Sequence, residues 1–213
     1  MISTSSYKNW KSDIYKVVSI SGDRGMGANY KGKCYPRLAP KYDFWKVWHD
    51  NIGKIPEREN NLYYIEQYYE NVLSKLDPED IYEDLENATL LCYEEGEEFC
   101  HRHIVAAWFE LLLGKRVPEQ KADGWLLQEV KRPEYIKVEL ERIMKEKLNM
   151  RGFNSLRALF LFYKGEKYEE KARELEKNGK SGAAYKQEAC YCRCDADEAE
   201  ATYNVSKKRG NNR

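Results

Sequence analysis

The run Ile104-Val105-Ala106-Ala107-Trp108-Phe109-Glu110-Leu111-Leu112-Leu113 is apolar on almost every side of a helix. A surface helix shows one apolar stripe, whereas a helix apolar all round has to be enclosed by other elements. This segment therefore calls for a layered fold with the helix near its centre. Just upstream, Ala88 to Cys92 is a short apolar run bounded by polar residues, the mark of a buried strand. The spacing predicts a helix from about Glu97 to Leu113, closed by Gly114 as a C-cap. Only the first turn of that helix is polar. It carries Cys100, His101, Arg102 and His103, and so holds two of the chain's three histidines.

Ile2 to Ser5 and Tyr15 to Ser21 read as short strands ending in hydroxyls. Gly22 to Pro40 reads as a long irregular loop of the kind that binding sites use. Tyr42, Phe44, Trp45 and Trp48 fall at helical spacing, and Leu62 to Leu76 makes a second amphipathic helix. Asp77-Pro78-Glu79 opens a third, with Asp77 as N-cap and Pro78 where its missing N–H is harmless. Glu134 to Leu148 reads as a charged amphipathic helix, and Phe153 to Lys177 as another or a broken pair of them. The expected fold class is α/β, an open, mainly parallel sheet flanked by helices, with a helical C-terminal extension. The expected division is an α/β domain over 1–120, a helical extension packed on it over 121–180, and a polar cysteine-containing tail over 181–213. The basic end of that tail, Lys207 to Arg213, is expected to be disordered.

A chain of 213 residues suits one substantial core with an appendage. Lys plus Arg and Asp plus Glu both number 36, so no global basic field exists and any contact with a polyanion must be local. The mean hydropathy of -0.84 points to a soluble protein with no membrane partner. No apolar run approaches the roughly 18 residues a membrane helix needs. Met1 to Ser6 has no basic region leading into an apolar stretch, so it does not read as a secretory signal, and the cytoplasm is the expected location. Six cysteines are too sparse for a disulfide scaffold and read as free thiols, ligands or nucleophiles.

Leu91-Cys92-Tyr93-Glu94 and Phe99-Cys100-His101-Arg102 resemble the hallmark of the bacterial and phage family known as domain of unknown function 488. That hallmark is an apolar strand ending in Cys-x-Glu, a short variable loop, and Cys-His-Arg opening a helix. The resemblance runs from Ile2 to Gly114 and takes in the Ser/Thr-rich first strand and Leu38-Ala39-Pro40. It implies an α/β sandwich with the motif at the carboxyl edge of the sheet, and links to nucleotide or nucleic-acid processing.

From the residues themselves, Cys100 at a helix N-terminus has its thiolate favoured by the helix dipole and by Arg102, with His101 or His103 exchanging the proton. Cys100, His101, Cys92 and Glu94 are the candidate catalytic set; the alternative is that these thiols and imidazoles pack as ordinary core. Arg102 is the candidate for two-point contact with a carboxylate or phosphate, joined by Asp23, Arg24 and Ser21 at the glycine-rich loop. The expected ligand is a small anionic or nucleotide-like molecule, with nucleic acid as an alternative partner. Glu94, Glu95, Glu97 and Glu98 speak against a backbone phosphate cradle. The cysteine-to-arginine spacing of a tyrosine phosphatase is absent, and Gly22-x-x-Gly25-x-Gly27 is not a dinucleotide fingerprint. The metal alternative uses Cys92, Cys100 and His103 as three ligands to zinc with an open position, Glu94 moving protons. Tyr42 to Trp48, Tyr63-Tyr64 and Tyr68-Tyr69 either stack on bases or form core. Cys190, Cys192 and Cys194 lack an evident fourth ligand.

Overall fold

Strands and helices alternate along the first half of the chain, and a computed structural model describes residues 1–210. The chain divides into two units, Met1–Met144 and Lys145–Arg213. The first unit is built on a seven-stranded sheet: β1 (Ser3–Ser6), β2 (Trp10–Lys11), β3 (Val17–Ser19), β4 (Lys33–Cys34), β5 (Thr89–Cys92), β6 (Glu119–Asp123) and β7 (Leu126–Val130). The order is β2-β6-β1-β5-β3-β4, with β7 also paired to β6. All pairings are parallel except that of β6 with β7. The mainly parallel α/β class expected above is thus what the chain forms. β1 and β5 are buried along their full length, as strands covered on both faces must be.

β1 is an unusual core strand, because all four of its side chains carry hydroxyls. Burying a hydroxyl is tolerable only if it is hydrogen-bonded. Ser3 Oγ pairs with Thr89 Oγ1 at 2.8 Å, Thr4 Oγ1 donates to Glu119 Oε2 at 2.7 Å, and Ser5 Oγ donates to the Gln120 carbonyl at 2.6 Å. Ser6 Oγ accepts from the Asn9 N–H at 3.1 Å. The strand is therefore tied sideways to both neighbours, β5 and β6.

Five helices accompany the sheet: α1 (Tyr42–Asp50), α2 (Glu57–Asn71), α3 (Pro78–Asp84), α4 (His101–Leu113) and α5 (Glu134–Lys147). Asp77 caps α3 as expected, its side chain accepting from the Glu79 N–H at 3.0 Å. α4 is the helix apolar all round, and Ile104 to Phe109 are each at most 1% exposed. It begins four residues later than the expected start at Glu97, because Cys100 is an extended N-cap (φ -151°) rather than a helical residue. Gly114 closes it in the left-handed region (φ 63°), its N–H reaching the Glu110 carbonyl. The sheet runs past residue 120, since the hairpin β6–β7 lies mostly in the stretch expected to be a helical extension.

The second unit contains α6 (Leu156–Lys177) and α7 (Ala183–Gly210), two antiparallel helices. Gly165 is the close-approach point: a Cβ there would sit 3.2 Å from the Ala189 carbonyl oxygen. α7 occupies the segment expected to be a polar tail, and its basic residues Lys207, Lys208 and Arg209 are helical. Tail residues 211–213 lie outside the described residues. Cys192 is buried in this helix while Cys190 and Cys194 are exposed.

Gly114→Ala forces a side chain into the left-handed region, which costs about 1–2 kcal/mol. All five tryptophans lie in the first unit, so urea unfolding followed by tryptophan fluorescence should show that loss as a lower midpoint with an unchanged slope.

Candidate functional site

Cys92 ends β5 and Cys100 precedes α4, so the intervening turn returns the chain to the carboxyl edge of the sheet. The two sulfurs and Nδ1 of His101 lie within 4.8 Å of one another. His101 Nε2 is 3.0 Å from the Ile20 carbonyl oxygen. A carbonyl only accepts, so the proton of the neutral ring sits on Nε2. Nδ1 then turns its lone pair to Cys92 Sγ at 3.5 Å and Cys100 Sγ at 3.9 Å. The Tyr68 ring flanks the imidazole at 5.5 Å between centroids and is itself anchored by its hydroxyl to the Leu38 carbonyl.

The protons in this cluster are unevenly held. Burial alone would push the Cys100 thiol up, but a hydrogen bond from Cys92, the Arg102 charge and His101 overcome it and hold the thiol well below its usual range. Cys92 moves the opposite way: burial comes first, and the neighbouring Cys100 and Glu94 add to it. Burial and the Cys100 charge push the Glu94 carboxyl up to about 8, which keeps it protonated at neutral pH. Burial opposes a charge on His101, yet Cys100, Glu94 and the Ile20 carbonyl raise its pKa. The resulting arrangement is a Cys100 held toward its thiolate beside a His101 ring whose basicity is raised, with Cys92 as S–H donor and Glu94, 3.6 Å from Cys92 Sγ, as a neutral acid.

This cluster forms part of the wall of a cavity of about 630 Å³, a size that suits a small organic ligand. Tyr42, Trp45 and Trp48 of α1, Tyr64 of α2, and Phe99 make an aromatic side to it. Trp48, Tyr64 and Phe99 pack on one another with centroids 5.3–5.8 Å apart. Trp48 is oriented by its Nε1–H, which donates to Asn61 Oδ1 at 3.0 Å. The opposing polar rim is Ser21, Asp23 and Tyr93. Asp23 accepts from Ser21 Oγ and from the Gly25 and Gly27 N–H groups at 2.9–3.0 Å, and from the Tyr93 hydroxyl. Burial raises its pKa, but these donors prevail and hold it at about 2. Among the described residues no lysine or arginine lines the cavity.

The residues singled out in the sequence are therefore sorted by the fold. Cys92, Glu94, Cys100, His101, Ser21 and Asp23 meet at one cavity. Arg24 is exposed with φ 61° and is not part of it. Arg102, expected to grip an anion, is fully buried and bound to Glu119 of β6, with Nε and Nη2 3.0–3.2 Å from the carboxylate oxygens. His103 is also turned to Glu119, 3.4 Å away but out of line for a hydrogen bond, and burial holds it below its usual pKa. The set Cys92, Cys100 and His103 is thus not assembled. The three-residue spacing of Cys100 and His103 implied a shared helical face, but Cys100 is an extended cap outside the helical register. The donors that could hold a soft metal ion with one open position are Cys92, Cys100 and His101.

Two contributions escape sequence reading. The aromatic wall comes mostly from α1 and α2, well upstream in sequence, and rings at helical spacing look the same whether they pack or line. Glu119 sits in a charged stretch, and nothing local marks it as the buried counterion of Arg102. Burial raises its pKa, but His103 and Arg102 beside it hold the carboxyl below its usual range.

A parallel α/β domain with a thiol–imidazole cluster at the carboxyl edge of its sheet is the class that fold and site define. Residues 6–112 match the family model DUF488-N3a, described as "Active DUF488-N3 subclade". The chain belongs to the DUF488 family, as the Cys-x-Glu and Cys-His-Arg residues suggest. No curated protein and no solved structure matches it.

Removing Glu119 strands a guanidinium in the interior, and breaking a buried pair in this way costs about 3–5 kcal/mol. Glu119→Ala should accordingly lower the urea midpoint far more than Thr4→Val, which removes one hydrogen bond to the same carboxylate, worth about 1 kcal/mol or somewhat more.

Proposed function

We propose that this protein is a thiol-dependent enzyme in which Cys100 attacks an electrophilic carbon of a small, flat, ring-bearing substrate held in the cavity. One observation carries the reading: a histidine whose tautomer is set by the Ile20 carbonyl turns its bare Nδ1 to two sulfurs in a cavity walled by aromatic rings. Paired with His101, Cys100 is the nucleophile. His101 relays the proton, Cys92 supports the thiolate as a donor, and Glu94, neutral below about pH 8, protonates the leaving group. The name of the matched subclade, which describes that group as active, agrees with this assignment.

The lining favours the ring of a ligand over its charge. Aromatic side chains receive flat rings by stacking, whereas among the described residues the lining carboxyls are Asp23 and Glu94 and no lysine or arginine answers an anion. A nucleotide-like substrate fits this site with its base inward and its phosphate left at the mouth. The nucleic-acid-binding alternative predicts affinity that falls steeply as salt rises, and a binding titration at two salt concentrations separates it from the enzyme.

The test is alkylation mapped by mass spectrometry. Cys100 should react with iodoacetamide at neutral pH roughly tenfold or more faster than Cys34, because its thiol is held well below the usual range, and its rate should change little as pH falls from 8 to 7. Above about pH 8, Glu94 loses its proton, and the new negative charge should slow iodoacetate relative to iodoacetamide. Glu94→Gln should remove that divergence. Labelling of Cys100 no faster than that of Cys34 would sink the thiolate. Slow labelling together with one equivalent of a transition metal in the purified protein would replace it with a metal centre at Cys92, Cys100 and His101.

A further inference from the structure

A second thiol within reach of the first is more than the alkylation chemistry needs. Cys92 Sγ, Cys100 Sγ and His101 Nδ1 lie within 4.8 Å of one another, and both cysteines line the same cavity. The imidazole nitrogen is nearer to Cys92 than to Cys100, 3.5 against 3.9 Å. The turn joining the two cysteines contains Gly96 at φ 51° with nothing within 4 Å of its Cβ position, so the connection has room to shift. By contrast Cys190 and Cys194 are exposed in the second unit.

We propose that Cys92 and Cys100 are a redox pair: a hydroperoxide entering the cavity oxidises Cys100, and Cys92 then closes a disulfide with it, silencing the site until a dithiol reductant reopens it. The proposal rests on the thiolate reading of Cys100. In the first step the Cys100 thiolate attacks the O–O bond, the alkoxide leaves as an alcohol with the proton of the neutral Glu94, and Cys100 becomes a sulfenic acid while His101 Nδ1 stays free. The negative charge on Cys100 is then gone. His101 Nδ1 takes the Cys92 proton, the new thiolate attacks the Cys100 sulfur, and hydroxide departs as water. In sum, two thiols and one hydroperoxide give one disulfide, one alcohol and one water. A dithiol returns two electrons and two protons to restore the pair.

Trypsin leaves both cysteines in a single peptide, Leu76 to Arg102, because no Lys or Arg lies between those ends. After limited hydrogen peroxide and capping of free thiols, that peptide should appear uncapped and lighter by two hydrogens, and dithiothreitol should restore it. Loss of fast Cys100 alkylation should track its appearance. Cys92→Ser should instead accumulate a Cys100 sulfenic acid trapped by dimedone, followed by over-oxidation, and Cys100→Ser should show neither product. If wild-type Cys100 alkylates fast but peroxide yields sulfinic acid with Cys92 still free, the redox pair is wrong and the nucleophile stands. If Cys100 neither alkylates fast nor reacts with peroxide, both readings fail together.

Discussion

A guanidinium on α4 and a carboxylate on β6, both sealed from water, hold the site in place. Arg102 and Glu119 have side chains with no exposed area, and an isolated charge at such a depth costs several kcal/mol. Neither can turn away without stranding the other, so the rotation of α4 about its axis is locked against the sheet. Thr4 of β1 adds a hydrogen bond to the same carboxylate, tying a third element into the contact. Cys100 and His101 stand two residues and one residue before this anchor. Their position is set by an interaction that does not itself face the cavity.

The electrostatics of the cavity follow from that placement. In a poorly hydrated pocket, four ionisable groups in contact cannot all carry charge. The Arg102 charge beneath and the Cys92 donor beside it settle the negative charge on Cys100, and the cost is passed to Cys92 and Glu94, which keep their protons. The imidazole is oriented from outside the cluster by a backbone carbonyl at the end of β3. Aromatic rings then complete the enclosure without adding competing charge. The division into nucleophile, proton carrier and neutral acid is a product of position, since the same residues on a surface would titrate near their ordinary values.

Much of the sheet-and-helix plan was legible because it depends on local patterns. The apolar runs at Ala88 to Cys92 and Ile104 to Leu113, the Asp77-Pro78 helix opening and the Gly114 cap each declare themselves within a few residues. The convergence of Cys92, Glu94, Cys100 and His101 was legible too, because a short turn joins them. What escaped depends on contacts far apart in sequence. Arg102 reads as an anion gripper until its partner is found at Glu119, and His103 reads as a ligand until Cys100 proves to be an extended cap. β2, β4 and β6–β7 were missed because strands of two to five residues in polar sequence gain their form from pairing rather than from a pattern of their own. The long α7 was missed for a related reason. Its charged, glycine-led sequence resembles a tail, and only its packing along α6 shows which small residues it buries.

One further property comes from the sheet's margin. β7 pairs with β6 along one side, and among the described residues no strand takes its other side. Its side chains are mostly exposed, and Trp125 and Leu126 at the hairpin bend are 78% and 69% exposed. A bare row of amide and carbonyl groups next to greasy surface is the template that added strands recruit. Such a border, remote in sequence from the thiols, is the kind of edge that natural sheets guard against pairing with a second chain.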